Sequence, residues 1–244
     1  MRSRNSKRSQ TNSGSCIGRC IVIIDKIISA DKFASLLQDG MTIMVGGFMS
    51  CGTPQKLMDI ICEKGIKNLT VIGNDSGLPN DGIGKLIAAG CVTKLIASHI
   101  GLNPQTGQLM HEDKVEVCLV PQGTLVERIR AGGAGLGGVL TPTGLGTEVA
   151  VGKDIIEVDG KEYILEKPLR ADMALLFGSS VDFLGNIFYK GTTRNFNPIM
   201  ATAADTVVVE SQKLVNVGEI QGECIATPGI FVDYIVKGGA ENGL

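Results

Sequence analysis

Short, continuously apolar runs alternate with helix-length stretches from Met41 onward, and that alternation restricts the fold more than any other feature. Thr42 to Val45 is one such run. The stretch after it, Pro54 to Lys64, carries Leu57, Ile60 and Ile61 at helical spacing and stops at Gly65. Thr53 is placed to cap this helix, and Pro54 fits its first turn, where a missing N–H costs nothing. The pattern repeats as a strand over Leu69 to Gly73, a helix around Lys85 to Ala89, strands over Val92 to Ser98 and Val115 to Val120, and a helix over "TLVERIRAGG". Strands without a polar face must be covered twice. The expected class is therefore α/β, with an open, mainly parallel sheet carrying helices on both faces.

The pattern resumes with a strand over Met173 to Phe177, a helix near "PIMATAAD", a strand over Thr206 to Glu210 and the closing run "GIFVDYIV". Between the two halves, Ile155 to Glu166 reads as two alternating strands about Asp159-Gly160, so an added β-hairpin is expected. The glycine-rich segment Gly132 to Gly146 is costly to order and is predicted to be a flexible flap. Its "GAGLGG", Gly133 to Gly138, matches the letters of a dinucleotide fingerprint. A true fingerprint follows a strand and opens a helix, which this one does not, so no NAD site is expected.

Open parallel sheets bind ligands beyond the carboxyl ends of their strands. That rule selects the loop Gly46 to Gly52 (Gly46, Gly47, Phe48, Met49, Ser50, Cys51, Gly52), then Asn74 and Asp75, His99 and Asn103, and Gln122 and Gly123. All four tips are expected along one edge. Paired glycines after a buried strand permit close approach to the backbone, and amides ahead of the Pro54 helix are expected to point outward at a positive dipole end. Such a loop suits an anion or a developing oxyanion; the bland alternative is a tight strand-to-helix turn with no ligand.

Cys51 is a rival nucleophile if His99 stands beside it. Ser50 is not a nucleophile elbow, because Phe48 stands where that motif needs glycine. Glu127 and Arg128 read as a solvated helix face, and Arg130 as a phosphate contact near the flap. Two distant histidines and scattered cysteines supply no metal-ligand set, so no metal is expected.

A net charge of -2 gives no general attraction to nucleic acid or anionic membranes, and no apolar run approaches the ~20 residues a membrane span needs. Seven cysteines without a CxxC pair fit a reducing, cytoplasmic setting. The first twenty residues carry Arg2, Arg4, Lys7, Arg8 and Arg19 and no acid before Asp25. Residues 1–22 are expected to be a disordered basic tail, either non-native or solvated in preference to a transit peptide, and residues 23–244 one domain. Cys16 and Cys20 in that tail are read as incidental.

The run "DGMTIMVGGFMSCGTP" resembles the signature of family I coenzyme A transferases: acid and glycine, an apolar run, G-G-F, three free positions, glycine, one free position and proline. Asp39, Gly40, Gly46, Gly47, Phe48, Gly52 and Pro54 fill every fixed position. The likeness continues through "IASHIG", "PQGTLVERIRAGGAGLGGVLTPTGLGT", "PLRADMAL", "NFNP" and "TPGIFVDYIV", and is greatest to alpha subunits of the acetate or butyrate:acetoacetate group.

The resemblance implies a cytoplasmic, two-chain, ping-pong enzyme acting on coenzyme A thioesters, with no tightly bound cofactor. Its nucleophilic glutamate would lie on a beta subunit, in a heterodimer or an α2β2 assembly, and this chain would supply no catalytic residue of its own. Gly46 to Gly52 would contribute to coenzyme A binding, with Asn74, Gln122 and Gly123 on the active-site edge. Glu241-Asn242-Gly243 echoes the beta family's S-E-N-G nucleophile motif with Ala240 in the serine's place, and is read as coincidence. The competing readings are a self-contained sugar-phosphate isomerase or deaminase, which needs a general acid and base within the chain, and a non-catalytic ligand sensor.

Overall fold

The computed structural model describes residues 25–238, so the expected basic tail, residues 1–22, and Glu241 lie outside the described residues. The first half of the chain runs β1 (Ile27–Ile28), α1 (Ala30–Leu36), β2 (Thr42–Val45), α2 (Gln55–Lys64), β3 (Leu69–Gly73), α3 (Ile83–Ala88), β4 (Val92–Ala97), α4 (Pro104–His111), β5 (Glu116–Leu119) and α5 (Gln122–Ala134). The second half runs β6 (Val139–Thr141), β7 (Ile155–Val158), β8 (Lys161–Glu166), β9 (Ala171–Gly178), β10 (Ser180–Asp182), β11 (Ile187–Phe188), α6 (Asn197–Met200), β12 (Ala204–Ser211), β13 (Leu214–Val215) and β14 (Tyr234–Lys237). Helix α1, which the sequence reading did not anticipate, is capped by Ser29, whose hydroxyl accepts from Lys32 N, and is anchored by buried Phe33.

Eight strands form the main sheet in the order β1-β14-β12-β9-β2-β3-β4-β5, and every neighbouring pair is parallel. Side chains alternate between two cores as the period of two requires. Ile43 and Val45 of β2 and Met173 and Leu175 of β9 face a core with Phe33, Leu57, Met58, Ile61 and Leu86. Met44, Ala174 and Leu176 face the opposite one with Leu125, Ile129, Met200 and Ile187. Helices cover the first face; on the second, α5 and α6 share the work with a small sheet, β11-β10-β13.

The hairpin forms as expected, with Val158 paired to Lys161 across Asp159 and Gly160, both at positive φ (51° and 72°). It joins β6 in a separate three-stranded sheet.

The flexible flap is corrected. Gly132 and Gly133 lie inside α5, where an added Cβ would overlap the Leu169 carbonyl at the first and the Thr202 side chain at the second. Those glycines let the helix pack closely. Gly135 ends α5 in the left-handed conformation at φ 69°, and Val139 to Thr141 is paired to β8. Thr53 does not cap α2 either; its hydroxyl donates to Gly46 O at 3.1 Å, inside the loop.

Candidate active site

Strand order reverses between β2 and β9. From β2 the chain steps outward through β3, β4 and β5, then returns to β2's other side as β9 and steps the opposite way. Two loops diverge at such a switch point and leave a crevice at the carboxyl ends. The glycine loop opens directly into it. Gly46 N still donates to Leu175 O of β9 at 3.0 Å; Gly47, at φ 102°, turns away and donates to Asn195 O at 2.9 Å.

Beyond Gly47 the loop closes on itself. Phe48 N donates to Cys51 O at 3.0 Å and Cys51 N to Phe48 O at 2.8 Å, with Met49 and Ser50 between them at φ 47° and 69°. This is a two-residue turn of type I′ built without glycine, a conformation costing on the order of 1 kcal/mol or more per residue. Buried Asp75 holds it: one carboxylate oxygen accepts from Met49 N at 2.9 Å, and the other from Gly77 N at 2.7 Å.

The expectation of outward amides is corrected by this arrangement. Gly47, Phe48, Met49, Cys51 and Thr53 all donate inside the protein; among the described residues only the Ser50 and Gly52 amides of the loop lack a protein acceptor. The first turn of α2 is occupied as well, because Glu210 at the end of β12 accepts from Lys56 N at 2.8 Å and Leu57 N at 3.2 Å. A partly buried helix N-terminus needs acceptors for its free amides, and the chain supplies its own in the Glu210 carboxyl.

The bare Gly46 also has an internal cause. An added Cβ there would overlap the side chain of Asn197, which is fully buried. Gly52, at φ 77°, faces the Thr193 backbone in the same way.

Three strand tips do converge. Asn74 accepts from Gln122 Nε2 at 2.8 Å and from Ser98 Oγ at 3.0 Å, and its amide donates to Asn195 Oδ1 at 3.2 Å. Gln122 and Gly123 are exposed at the head of α5 and line a cavity of about 360 Å³ with Val126, Glu127, Asn195 and Phe196. His99 packs its ring 5.9 Å from that of Phe48, and Ser98 Oγ lies 3.2 Å from His99 Nδ1.

Asn103 is buried, its amide donating at 3.4 Å to the carbonyl of Ser76, which follows Asn74 and Asp75. The Cys51-His99 pair is not assembled: Cys51 Sγ lies 3.1 Å from Thr192 Oγ1, and no hydrogen bond joins it to His99. Arg130 is engaged by Glu127 at 3.1 Å and lines a second groove with Arg194 and Phe231. Among the described residues no three His, Cys, Asp or Glu stand together as a metal site, and no helix is long and apolar enough to cross a membrane.

The sequence reading missed Asn195, Asn197 and Glu210 as parts of this edge. Two asparagines flanking Phe196 ahead of Pro198 were the available signal, since asparagine before a proline marks a turn. Phe196 itself sits at φ 60°, a genuine outlier for so bulky a residue.

Residues 27–238 match the family model described as coenzyme A transferase. The chain is 58% identical over 212 residues to the acetoacetyl-CoA:acetate/butyrate CoA transferase alpha subunit of Clostridium acetobutylicum, covering 87% of this chain and 97% of that protein. It is 52% identical over 211 residues to the acetate CoA-transferase subunit alpha of Escherichia coli K12, covering 86% and 96%. Its fold matches a crystal structure of an acyl-CoA transferase from E. coli O157:H7 in a thioester complex with CoA, with TM-score 0.73, 22% identity and 87% of this chain covered. The chain spans about half, 47%, of that protein's length.

Proposed function

The chain belongs to the coenzyme A transferase family, and from that premise we propose that it is the alpha subunit of a short-chain acyl-CoA:3-oxoacid CoA-transferase of the acetate/butyrate-acetoacetate type. Coenzyme A thioesters and short-chain carboxylates are its substrates. A beta subunit completes the site, a reading supported by relatives named as alpha subunits and by the half-length match to the solved transferase.

The chemistry proceeds through the partner's glutamate. Its carboxylate attacks the acyl-CoA carbonyl, forming a mixed anhydride and releasing the CoA thiolate. The thiolate attacks the glutamyl carbonyl of the anhydride, giving glutamyl-CoA and releasing the carboxylate, and an incoming carboxylate reverses both steps. This chain binds and orients. The Gly46 to Gly52 loop at the switch point meets the thioester, with the Ser50 and Gly52 amides as its unpaired backbone donors. Among the described residues Gln122 keeps one amide hydrogen and its carbonyl free of protein partners, and it lines a cavity with Asn195, the residue that holds Gly47. A preorganised donor at a developing oxyanion is worth on the order of 3 kcal/mol.

The observation that carries the reading is the convergence of the glycine loop, Asn74 and Gln122 at the carboxyl edge beside β2 and β9. The readings as an isomerase or a ligand sensor are not favoured, since the curated relatives are transferase subunits. The test is CoA transfer from butyryl-CoA to acetoacetate by this chain alone and with the beta subunit. Activity in the pair only is the expected result; full activity of the chain alone would overturn the split site.

A further inference from the structure

We infer that Asn197 is the positioning residue of the glycine loop, and that Gly46 is glycine to admit Asn197 and not a ligand. Asn197 is fully buried and uses its whole amide. Oδ1 accepts from Phe177 N of β9 at 3.0 Å, while Nδ2 donates to Gly52 O at 2.9 Å and Thr193 O at 2.8 Å. One side chain thus ties the end of β9, the exit of the glycine loop and the segment before α6. It occupies the volume that a Cβ on Gly46 would take, with its Cγ 2.5 Å from that position.

Two features nearby exist to place it. Asn195 O receives Gly47 N and Asn195 Oδ1 receives Asn74 Nδ2, so the same short segment holds both the loop and the Gln122 side of the site. Phe196 is held left-handed at φ 60° between the two asparagines, which turns Asn195 toward the edge and Asn197 into the core. Strain of that kind persists only where the surroundings over-determine it. The clamp fixes the position of the Gly52 carbonyl and, through it, of the whole Phe48 to Cys51 turn.

The catalytic consequence rests on the transferase reading above, so the test has an arm that does not. Gly46→Ala, Asn197→Ala and the double variant are made in the full chain. Their thermal midpoints are measured on the chain alone, and kcat and KM for butyryl-CoA with the beta subunit present. Gly46→Ala is expected to lower kcat on the order of 100-fold, the size of effect a displacement of about 1 Å produces, with KM changed less than about threefold. Removing the Asn197 side chain makes room for the new methyl, so the double variant should retain about tenfold more activity than the product of the two single losses leaves and show the same coupling in its midpoint. Recovery of folding in the double variant, should Gly46→Ala alone fail to fold, is the same result. Asn197→Asp keeps the volume and the Phe177 bond but turns an oxygen toward two carbonyls, and should lose about tenfold in kcat. Additive effects, a Gly46→Ala defect confined to KM, or an unchanged kcat in Asn197→Asp would overturn the clamp. An inactive wild-type pair would overturn the transferase reading and leave the thermal cycle to decide the clamp.

Discussion

Glu210 and Leu57 are joined across 153 residues of chain, the carboxylate of the first accepting from the backbone amide of the second at 3.2 Å. The same oxygen accepts from Lys56 N at 2.8 Å, so a side chain at the end of β12 caps the helix that leaves the glycine loop. Sheet and loop are thereby locked together.

That cap predicts a pH dependence. Burial pushes the Glu210 carboxyl above its ordinary value of 4.5, and the Leu57 and Lys56 amides only partly offset it. The folded state therefore holds this proton more tightly than the unfolded chain does. Its contribution to stability is greatest below about 4.5 and is lost as pH rises through the elevated folded value. Glu210→Gln removes the titration and keeps one acceptor for the helix. The difference between the thermal midpoints of the two proteins, followed from pH 4 to pH 8, should change with pH, the wild type losing ground as pH rises. A difference independent of pH would refute this account.

Asp75 fixes the loop from its other side. It is 4% exposed and joins the Met49 amide to the Gly77 amide. Replacing it with alanine leaves two amides short of an acceptor and frees a turn that two left-handed residues strain. The expected loss of stability is about 1–3 kcal/mol. Turnover should fall by about tenfold or more, because the turn leaves its position at the crevice. Equilibrium unfolding and steady-state kinetics with the partner subunit check the two parts; full activity in Asp75→Ala would remove the loop from the site.

Much of this architecture was legible in the sequence. The apolar runs at Thr42 to Val45 and Leu69 to Gly73 became neighbouring parallel strands, because runs without a polar face admit few other placements. Asp159-Gly160 gave the hairpin turn for the same local reason, both residues tolerating positive φ. Direction was not legible. Gly46 reads equally as a bed for a ligand or for Asn197, and 150 residues of intervening chain separate the second possibility from any local pattern. The α2 amides likewise read as free until Glu210, far along the chain, occupies them. The flap failed for a related reason, since glycine composition measures entropy and says nothing of a helix that needs Gly132 against Leu169.

Gln122 and Asn74 divide binding from structure. Gln122 is exposed and among the described residues its side chain makes one hydrogen bond, to Asn74 Oδ1 at 2.8 Å, whereas Asn74 is 1% exposed and also bonds Ser98 and Asn195. Gln122→Ala should cost under about 1 kcal/mol in stability. Its effect on kcat should be on the order of 100-fold if its free donor meets the developing oxyanion. Asn74→Ala should lose both, since the Gln122, Ser98 and Asn195 side chains each lose a hydrogen bond to it. Equal kinetic and stability losses in Gln122→Ala would assign it a purely structural place.

The five cysteines among the described residues should separate cleanly by alkylation. Cys51, at the loop turn, and Cys224 are exposed, Cys62 and Cys118 are half-buried, and Cys91 is buried. Burial first, and the adjoining Cys91 thiol second, push Cys62 up to about 11. At pH 8 roughly one Cys62 in a thousand is then a thiolate, the form that reacts. Iodoacetamide at pH 8, read by peptide mass spectrometry, should mark Cys51 and Cys224 well before Cys62, and one further pH unit should raise the Cys62 rate about tenfold. Activity of the assembled enzyme should fall with the Cys51 adduct and not with the Cys224 adduct, because only the first adds bulk to the turn that Asp75 holds over the crevice. Loss of activity that follows Cys62 or Cys224 instead would move the site away from the glycine loop.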